Sequence, residues 1–259
     1  MKLSIVIPAY NEEKRIGKTL DSYLTYFTKH YKKDYELIVV LNGCRDNTFG
    51  VVQSFSKHIQ LKILEFKEAI GKGAAVIRGF NASHGDYIGF VDADLSTSAE
   101  EYHKLVLNIE PSDCIIASRY IKGAHVEPKQ PLSRRIASRG FNILIRILFG
   151  LNVKDSQCGS KLFKKHALKT ILPSIGTTRW AFDIDLLYQL KRKGFTYKES
   201  PTVWKDAAGS TLNIKKAIVE MFLAVIRLRL VYSPFIFIVK IYNKTIGRRK
   251  WVLLPHGSK

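Results

Sequence analysis

Short, almost uninterrupted apolar runs alternate with longer stretches of helical periodicity through the first half of the chain. LSIVIPA (3–9) is followed by an amphipathic segment from 12 to about 29, and ELIVVLN (36–42) by a helical pattern around 47–57. LKILEF (61–66) precedes GKGAAVIRGFNAS, YIGFVDA (87–93) precedes a helix from about 98, and CIIASRY (114–120) supplies one more strand. Strands that are apolar at nearly every position are covered on both faces, and helices between them imply parallel connections. The pattern therefore predicts an α/β fold with a mostly parallel central sheet between helices. Ligands of such sheets sit beyond the carboxyl ends of the strands. That gathers 8–12, 42–46 and 92–94 on one rim, although they are far apart in sequence.

The texture then changes. Between 119 and 146 the basic residues Arg119, Lys122, Lys129, Arg134, Arg135, Arg139 and Arg146 meet the single acid Glu127, and Pro128 and Pro131 interrupt the first part. A loop followed by a basic helix over about 134–149 fits. Arg134 and Ser138, four apart, share a face of that helix. DSQCGSKLF (155–163) reads as a loop and short strand, WAFDIDLLYQLKRKG (180–194) as a helix ending at Gly194, and FTYKESPTVW (195–204) as a strand.

The last third is apolar with embedded charge. AIVEMFLAVIRLRLVY (217–232) carries Glu220, Arg227 and Arg229; after Ser233 and Pro234 come FIFIVKIY (235–242) and the basic GRRKW (247–251). No 18-residue apolar stretch exists, which argues against spanning helices. Amphipathic helices lying in a membrane interface fit the pattern. So do helices packed on the sheet or on a partner subunit. An α/β domain over 1–212, with 119–150 as its basic loop and helix, and an amphipathic region over 213–259 is the resulting division.

Charge and cysteine content narrow the chemistry. A net charge of +20 predicts attraction to polyanions, whether anionic lipid, phosphorylated substrate or nucleic acid. Cys44, Cys114 and Cys158 form no CxxC pair, which excludes a disulfide scaffold or thiolate zinc site as the organising feature. The opening MKLSIVIPAYN is too short in its apolar part, and too soon broken by Pro8, to read as a signal peptide.

Asp92 and Asp94, at the end of an apolar run, share a side direction if the chain stays extended. Two close carboxylates repel unless a cation or shared proton lies between them. A divalent metal bound mostly to substrate phosphates, with one or two protein carboxylates, is one solution; a solvent-facing acidic turn is the other. A glycosidase pair is disfavoured, because its carboxyls flank a sugar on two sides. Gly71, Lys72 and Gly73 open a helix whose amides and lysine favour anions, though neither GxxxxGK[ST] nor a correctly placed GxGxxG is present. A nucleic-acid channel would interleave aromatics with the arginines, whereas the aromatics here cluster in the tail, and no zinc-finger or RNP-like pattern occurs.

As a set and in order, SIVIPAYNEEKRI, GKGAAVIRGF, FVDADLST, ASRY, DSQCGSKLF and FDIDLLYQLKRKG resemble the family 2 glycosyltransferases of GT-A fold, with the polyprenyl-phosphate sugar transferases the nearest branch; the likeness runs over about 3–212. The resemblance implies inverting transfer from a nucleotide sugar to a dolichyl or other polyprenyl phosphate, at the cytoplasmic face of an anionic membrane, by a peripheral or monotopic enzyme. It assigns Pro8, Ala9, Tyr10, Glu12, Asn42, Asp46 and Lys72 to the nucleotide side. Asp92 and Asp94 match the motif that holds Mg²⁺ or Mn²⁺ against the diphosphate. Arg119, Arg134, Ser138 and Arg139 match groups gripping the lipid phosphate; Asp155 and Gln157 fall in the acceptor-side loop. Asp183 and Asp185 stand at the helix start where such enzymes place a base. DSQCG is similar to the glucosyl branch, implying UDP-glucose as donor; GDP-mannose with the same acceptor, a sugar acceptor on the same fold, and a basic binding module without catalysis are the alternatives.

The chain also departs from the pattern. Relatives read DDGSxDxT where this chain reads LNGCRDNT, so Asn42 stands in for an aspartate while Asp46 and Thr48 remain. After Gly209 and Ser210, Thr211 replaces a frequent lysine, and Lys215 is the nearest substitute. A phosphate monoester is already anionic near neutral pH, so Asp183 and Asp185 are expected to orient groups rather than to abstract a proton.

Overall fold

A computed structural model describes residues 2–128, 132–176, 181–205 and 214–245, without the side chains of 133, 134, 214–218 and 243–245. The expectations placed on the side chains of Lys129, Arg134, Thr211 and Lys215, and on 247–251, lie outside the described residues.

The strands β1 (Leu3–Ala9), β2 (Tyr35–Asn42), β3 (Leu61–Phe66), β4 (Tyr87–Val91), β5 (Cys114–Ser118) and, later in the chain, β7 (Ser160–Lys164) and β8 (Tyr197–Pro201) build one sheet. Their order is β3-β2-β1-β4-β7-β5-β8. All pairings are parallel except those of β7, which runs antiparallel to both β4 and β5. A second ribbon pairs β6 (His125–Glu127) with β9 (Val203–Lys205).

Helices cover the sheet: α1 (Ile16–Tyr31), α2 (Thr48–Gln53), α3 (Lys72–Ala82), α4 (Ala99–Asn108), α5 (Leu132–Phe149), α6 (Lys165–Ile171) and α7 (Phe182–Arg192). On α1 the buried Ile16, Leu20, Tyr23, Leu24 and Phe27 recur at helical spacing, which is why this segment packs as a helix. Gly79 lets α3 lie directly on β1, since a Cβ there would stand 2.2 Å from Val6 Cγ1. Ser98 caps α4 by accepting the Glu101 amide at 3.3 Å. At the far end α8 (Ile214–Val231) packs on α5 and on α9 (Ile236–Thr245). Among the described residues no helix is long and apolar enough to cross a membrane.

Several expected boundaries move. The strand predicted over 87–93 ends at Val91, and 92–95 form a turn with Leu95 at φ +58°, so Asp92 and Asp94 are not alternate residues of an extended strand. The strand expected to reach 120 stops at Ser118, and the one expected over 195–204 is two strands broken at Thr202, each joining a different sheet. Helix α1 starts at Ile16 rather than near 12, because Glu12 is used in the loop; α2 is shorter than 47–57; α5 begins at Leu132, ahead of Arg134.

Candidate active site

The carboxyl ends of β2, β1 and β4 lie side by side, and their loops are stitched together. Thr19 Oγ1 donates to the Ala93 carbonyl at 2.7 Å, the Glu12 amide to Thr48 Oγ1 at 2.7 Å, and the Arg45 amide to Asn11 Oδ1 at 2.8 Å. Glu12 is held by Arg15 through two bonds of 2.7 Å. Burial nevertheless raises its pKa above the usual carboxylate range, with Asp94 and Asp92 adding to the effect, so Glu12 belongs to the same charge field as the aspartate pair. Asp46 shows the opposite balance. Desolvation acts against its charge, but the hydroxyl and amide of Thr48 and the amide of Glu13 outweigh it and hold the carboxyl below its usual range. Asn42 is buried, and its Oδ1 accepts the Ile70 amide at 2.7 Å, so it braces the loop entering α3. Pro8 is half-buried, Ala9 buried, and Tyr10 stands exposed on the rim.

Helix α3 begins at Lys72, whose Nζ lies 2.5 Å from Asp92 Oδ1. Burial opposes the ammonium, but Asp92 and Asp183 hold it protonated above the ordinary lysine range. Asp92 itself stays raised: burial lifts it, Lys72 pulls it back, and Asp94 and Asp183 lift it further. Asp94 Oδ1 accepts the Ser96 amide at 3.0 Å, which fixes the turn.

Residues 158–161 close this site from below. The Asp92 amide donates to the Gly159 carbonyl at 3.1 Å, and a Cβ on Gly159 would stand 2.0 Å from Asp92 Oδ2. Lys161, on β7, is wholly buried; its Nζ donates to Asp183 Oδ1 at 2.6 Å and to the Cys158 carbonyl at 2.7 Å. The two aspartates of α7 are thereby separated. Asp183 joins the rim, whereas Asp185 is fully buried, accepting the Gly176 amide at 2.9 Å and the Tyr232 hydroxyl at 2.8 Å.

Where the sequence predicts the acceptor, Arg119 and Asp155 are partners. Asp155 is fully buried and takes the Arg119 amide, Nε and Nη2 at 3.0, 2.8 and 2.9 Å, while its own amide donates to Glu199. The guanidinium also lies 4.9 Å from the Trp204 ring and 5.4 Å from that of Tyr120. Tyr120 in turn donates to Ser138 Oγ at 2.8 Å, which brings Arg119 and Ser138 into one array across the loop and α5. Asn142 receives the amide and hydroxyl of Ser156, tying the 155–157 loop to the same helix; Gln157 is half-buried and Arg139 exposed. Among the described residues, buried Ser96 Oγ, Ser118 Oγ, Thr202 Oγ1 and Trp204 Nε1 have no hydrogen-bond partner, and they lie on adjoining backbone, where Ser118 pairs with Pro201 and Thr97 with Trp204.

Sequence reasoning missed Lys161, Gly159, Tyr120, Trp204 and Tyr232. One signal was available: strand alternation in SKLFK puts Lys161 on the face of Phe163, an apolar face. Among the described residues no group of three or more His, Cys, Asp or Glu could enclose a metal. Asp92 and Asp94 are hard oxygen donors, and an ammonium already stands at Asp92. The donor set therefore fits a hard divalent ion that takes its remaining ligands from a phosphorylated substrate.

Residues 4–172 match the model of glycosyl transferase family 2. The chain is 31% identical over 251 residues to dolichyl-phosphate beta-glucosyltransferase of Dictyostelium discoideum, covering 92% of this chain and 77% of that one. It is 32% identical over 226 residues to the protein of that name from Homo sapiens, covering 82% and 69%. Glucosyl-3-phosphoglycerate synthase from Mycobacterium tuberculosis, solved with Mn²⁺ and UDP-glucose, superposes with a TM-score of 0.65 at 18% identity, over 88% of this chain and 78% of that one.

Proposed function

The chain belongs to glycosyl transferase family 2, and from that premise we propose that it moves glucose from UDP-glucose to a dolichyl-type polyprenyl phosphate, with inversion, at an anionic membrane surface. The donor and acceptor rest on the relatives named above, which align along most of the chain. Within the molecule the reading is carried by one observation: Lys72 Nζ stands 2.5 Å from Asp92 Oδ1 with Asp94 in the same turn, so an ammonium and two carboxylates meet on the rim where a diphosphate and its cation would bind.

In this reading an oxygen of the acceptor phosphate bonds to the anomeric carbon as the bond from that carbon to the diphosphate breaks and UDP leaves. A phosphate monoester is largely ionised near pH 7, so no base has to remove a proton. Lys72, held protonated, sits where charge builds on the departing diphosphate. Asp92 and Asp94 would hold Mg²⁺ or Mn²⁺, which when bound would offset that same charge. Pro8, Ala9, Tyr10, Glu12, Asn42 and Asp46 line the nucleotide side. Arg134, Ser138 and Arg139 receive the lipid phosphate beside Arg119, whose guanidinium Asp155 keeps in place. Asp183 orients groups at the rim, and Gln157 borders the acceptor. Asp185, having no exposed surface, serves the architecture of α7.

The membrane part rests on apolar faces left uncovered. Leu132, Ile136, Ile143 and Ile147 form one exposed stripe along α5, and Phe222, Leu223, Phe237 and Ile241 continue the apolar exposure on α8 and α9. With a net charge of +20 the complementary surface is an anionic bilayer.

A transfer screen tests the function. UDP-glucose, UDP-GlcNAc and GDP-mannose are each paired with a polyprenyl phosphate and with simple sugars. The expected product is glucosyl lipid phosphate from UDP-glucose; product from a sugar acceptor alone would overturn the acceptor, and product from GDP-mannose alone the donor. Asp92→Asn and Asp94→Asn are expected to lower transfer by about 10²–10³-fold. Unchanged metal-dependent UDP binding in both variants would remove the metal assignment.

A further inference from the structure

Lys161 is a buried charge for which the transfer chemistry has no direct use. It has no exposed surface, it lies in the centre of the sheet between β4 and β5, and its ammonium stands 5.4 Å from the Phe90 ring. Lys72, paired with Asp92, stands 5.9 Å from the same centroid. The Lys161–Asp183 pair is open on one side only: the carboxylate keeps 12% of its surface and the lysine none. Lys161 also grips the Cys158 carbonyl at 2.7 Å, next to Gly159, whose carbonyl takes the Asp92 amide. Ser160 Oγ, between them, donates to Thr97 Oγ1 at 2.8 Å, beyond the aspartate turn. One four-residue segment therefore touches both acidic poles of the site.

We propose that Lys161 is a positioning residue of the transferase: it anchors the Asp183 carboxylate from beneath and, through the Cys158 carbonyl, fixes the distance between Asp183 and the Asp92 turn. Stability is a poor explanation for this lysine. Taking an ammonium out of water is costly, and apolar replacement of a buried pair is often neutral or favourable, whereas removing one partner strands the other. What the pair supplies is geometry. Asp183 sits in the first turn of α7, and without a fixed partner its carboxylate is free to turn toward Lys72 and compete with Asp92 for it. The inference deepens the proposed function, resting on its transfer chemistry but not on the identity of the acceptor.

The test is a double-mutant cycle on the full chain, with Lys161→Met, Asp183→Asn and the double variant. If Lys161 acts through Asp183, Lys161→Met lowers kcat by about 10–100-fold while KM for the nucleotide sugar moves less than about threefold. The double variant then matches Asp183→Asn alone, because the lysine has nothing left to position. Effects that multiply, or a kcat in Lys161→Met within threefold of the parent, overturn the proposal. The double variant carries no stranded buried charge, so it reports even if either single variant folds poorly. UDP binding by calorimetry with Mg²⁺, unchanged across the set, separates positioning from collapse of the site. If the parent transfers nothing to polyprenyl phosphate, the acceptor reading fails. The cycle is then read on release of UDP by slow hydrolysis of the donor, and the role of Lys161 is decided independently of the acceptor.

Discussion

Gly159 shows how little of a site need be chemical. Its missing side chain is the space that Asp92 Oδ2 occupies, with a would-be Cβ only 2.5 Å from Asp92 Cγ. Asp92 keeps 29% of its side-chain surface, so in Gly159→Ala the carboxylate can swing outward at small cost to the fold. The expected outcome is transfer lowered by about 10–100-fold with a shift in Tm of less than about 4 °C. Paired rate and melting measurements check it, and a large loss of Tm with proportionate loss of activity would contradict it. The aspartates at 92 and 94 were legible because an apolar strand ran into them at the rim. Gly159 was not, since nothing local to CGS shows that β7 brings it under the turn at Asp92. The pair 183 and 185 illustrates a different limit. Both carry the sequence signature of site residues, yet residues two apart on a helix point to different sides. Once α7 forms, the rim receives Asp183 and the interior receives Asp185.

At the scale of elements, α7 is where the catalytic face meets the C-terminal helices. Tyr232, which follows α8, donates to Asp185 Oδ1 at 2.8 Å, its ring lies 5.3 Å from that of Tyr188, and the Arg192 guanidinium stands 5.1 Å above it. Asp185, Tyr188 and Arg192 fall on one face of α7 by their spacing, so a single aromatic residue seats the end of α8 along two turns. Tyr232→Phe keeps the ring contacts and removes a hydrogen bond to a buried carboxylate. It is expected to cost about 1.5–3 kcal/mol of stability, measured by urea denaturation. Transfer by the folded fraction should change far less than in Asp183→Asn. Helix and strand identities were readable because periodicity of 3.6 or 2 is written in local sequence. The antiparallel direction of β7 was not, since it depends on where the chain re-enters the sheet between β4 and β5. The break at Thr202 was hidden for a related reason: β8 and β9 are separated by one residue in a continuous extended run, and their partners, β5 and β6, are different.

For the whole molecule, charge and apolar surface act together. The basic helix α5 was expected for its arginines, and its sequence also repeats isoleucine and leucine at 132, 136, 143 and 147. Only the packing of α8 against α5 reveals that this stripe stays outside. Ile143 and Ile147 are 53% and 75% exposed, and each isoleucine fully buried contributes about 1.5–3 kcal/mol. Basic residues near an anionic surface add about 1 kcal/mol each, an effect that fades within a Debye length of about 10 Å at 0.1 M salt. Two terms of different salt dependence make a definite prediction. The full chain should sediment with vesicles rich in anionic lipid at low salt and be partly released as salt rises, with a residue that stays bound through its apolar contacts. Ile143→Glu with Ile147→Glu should abolish that salt-resistant fraction while leaving UDP binding intact, because both residues lie on the outer side of α5. A parent protein that remains in the supernatant at low salt would assign the exposed faces of α5, α8 and α9 to a protein partner. A double variant that sediments like the parent would confine membrane contact to α8 and α9.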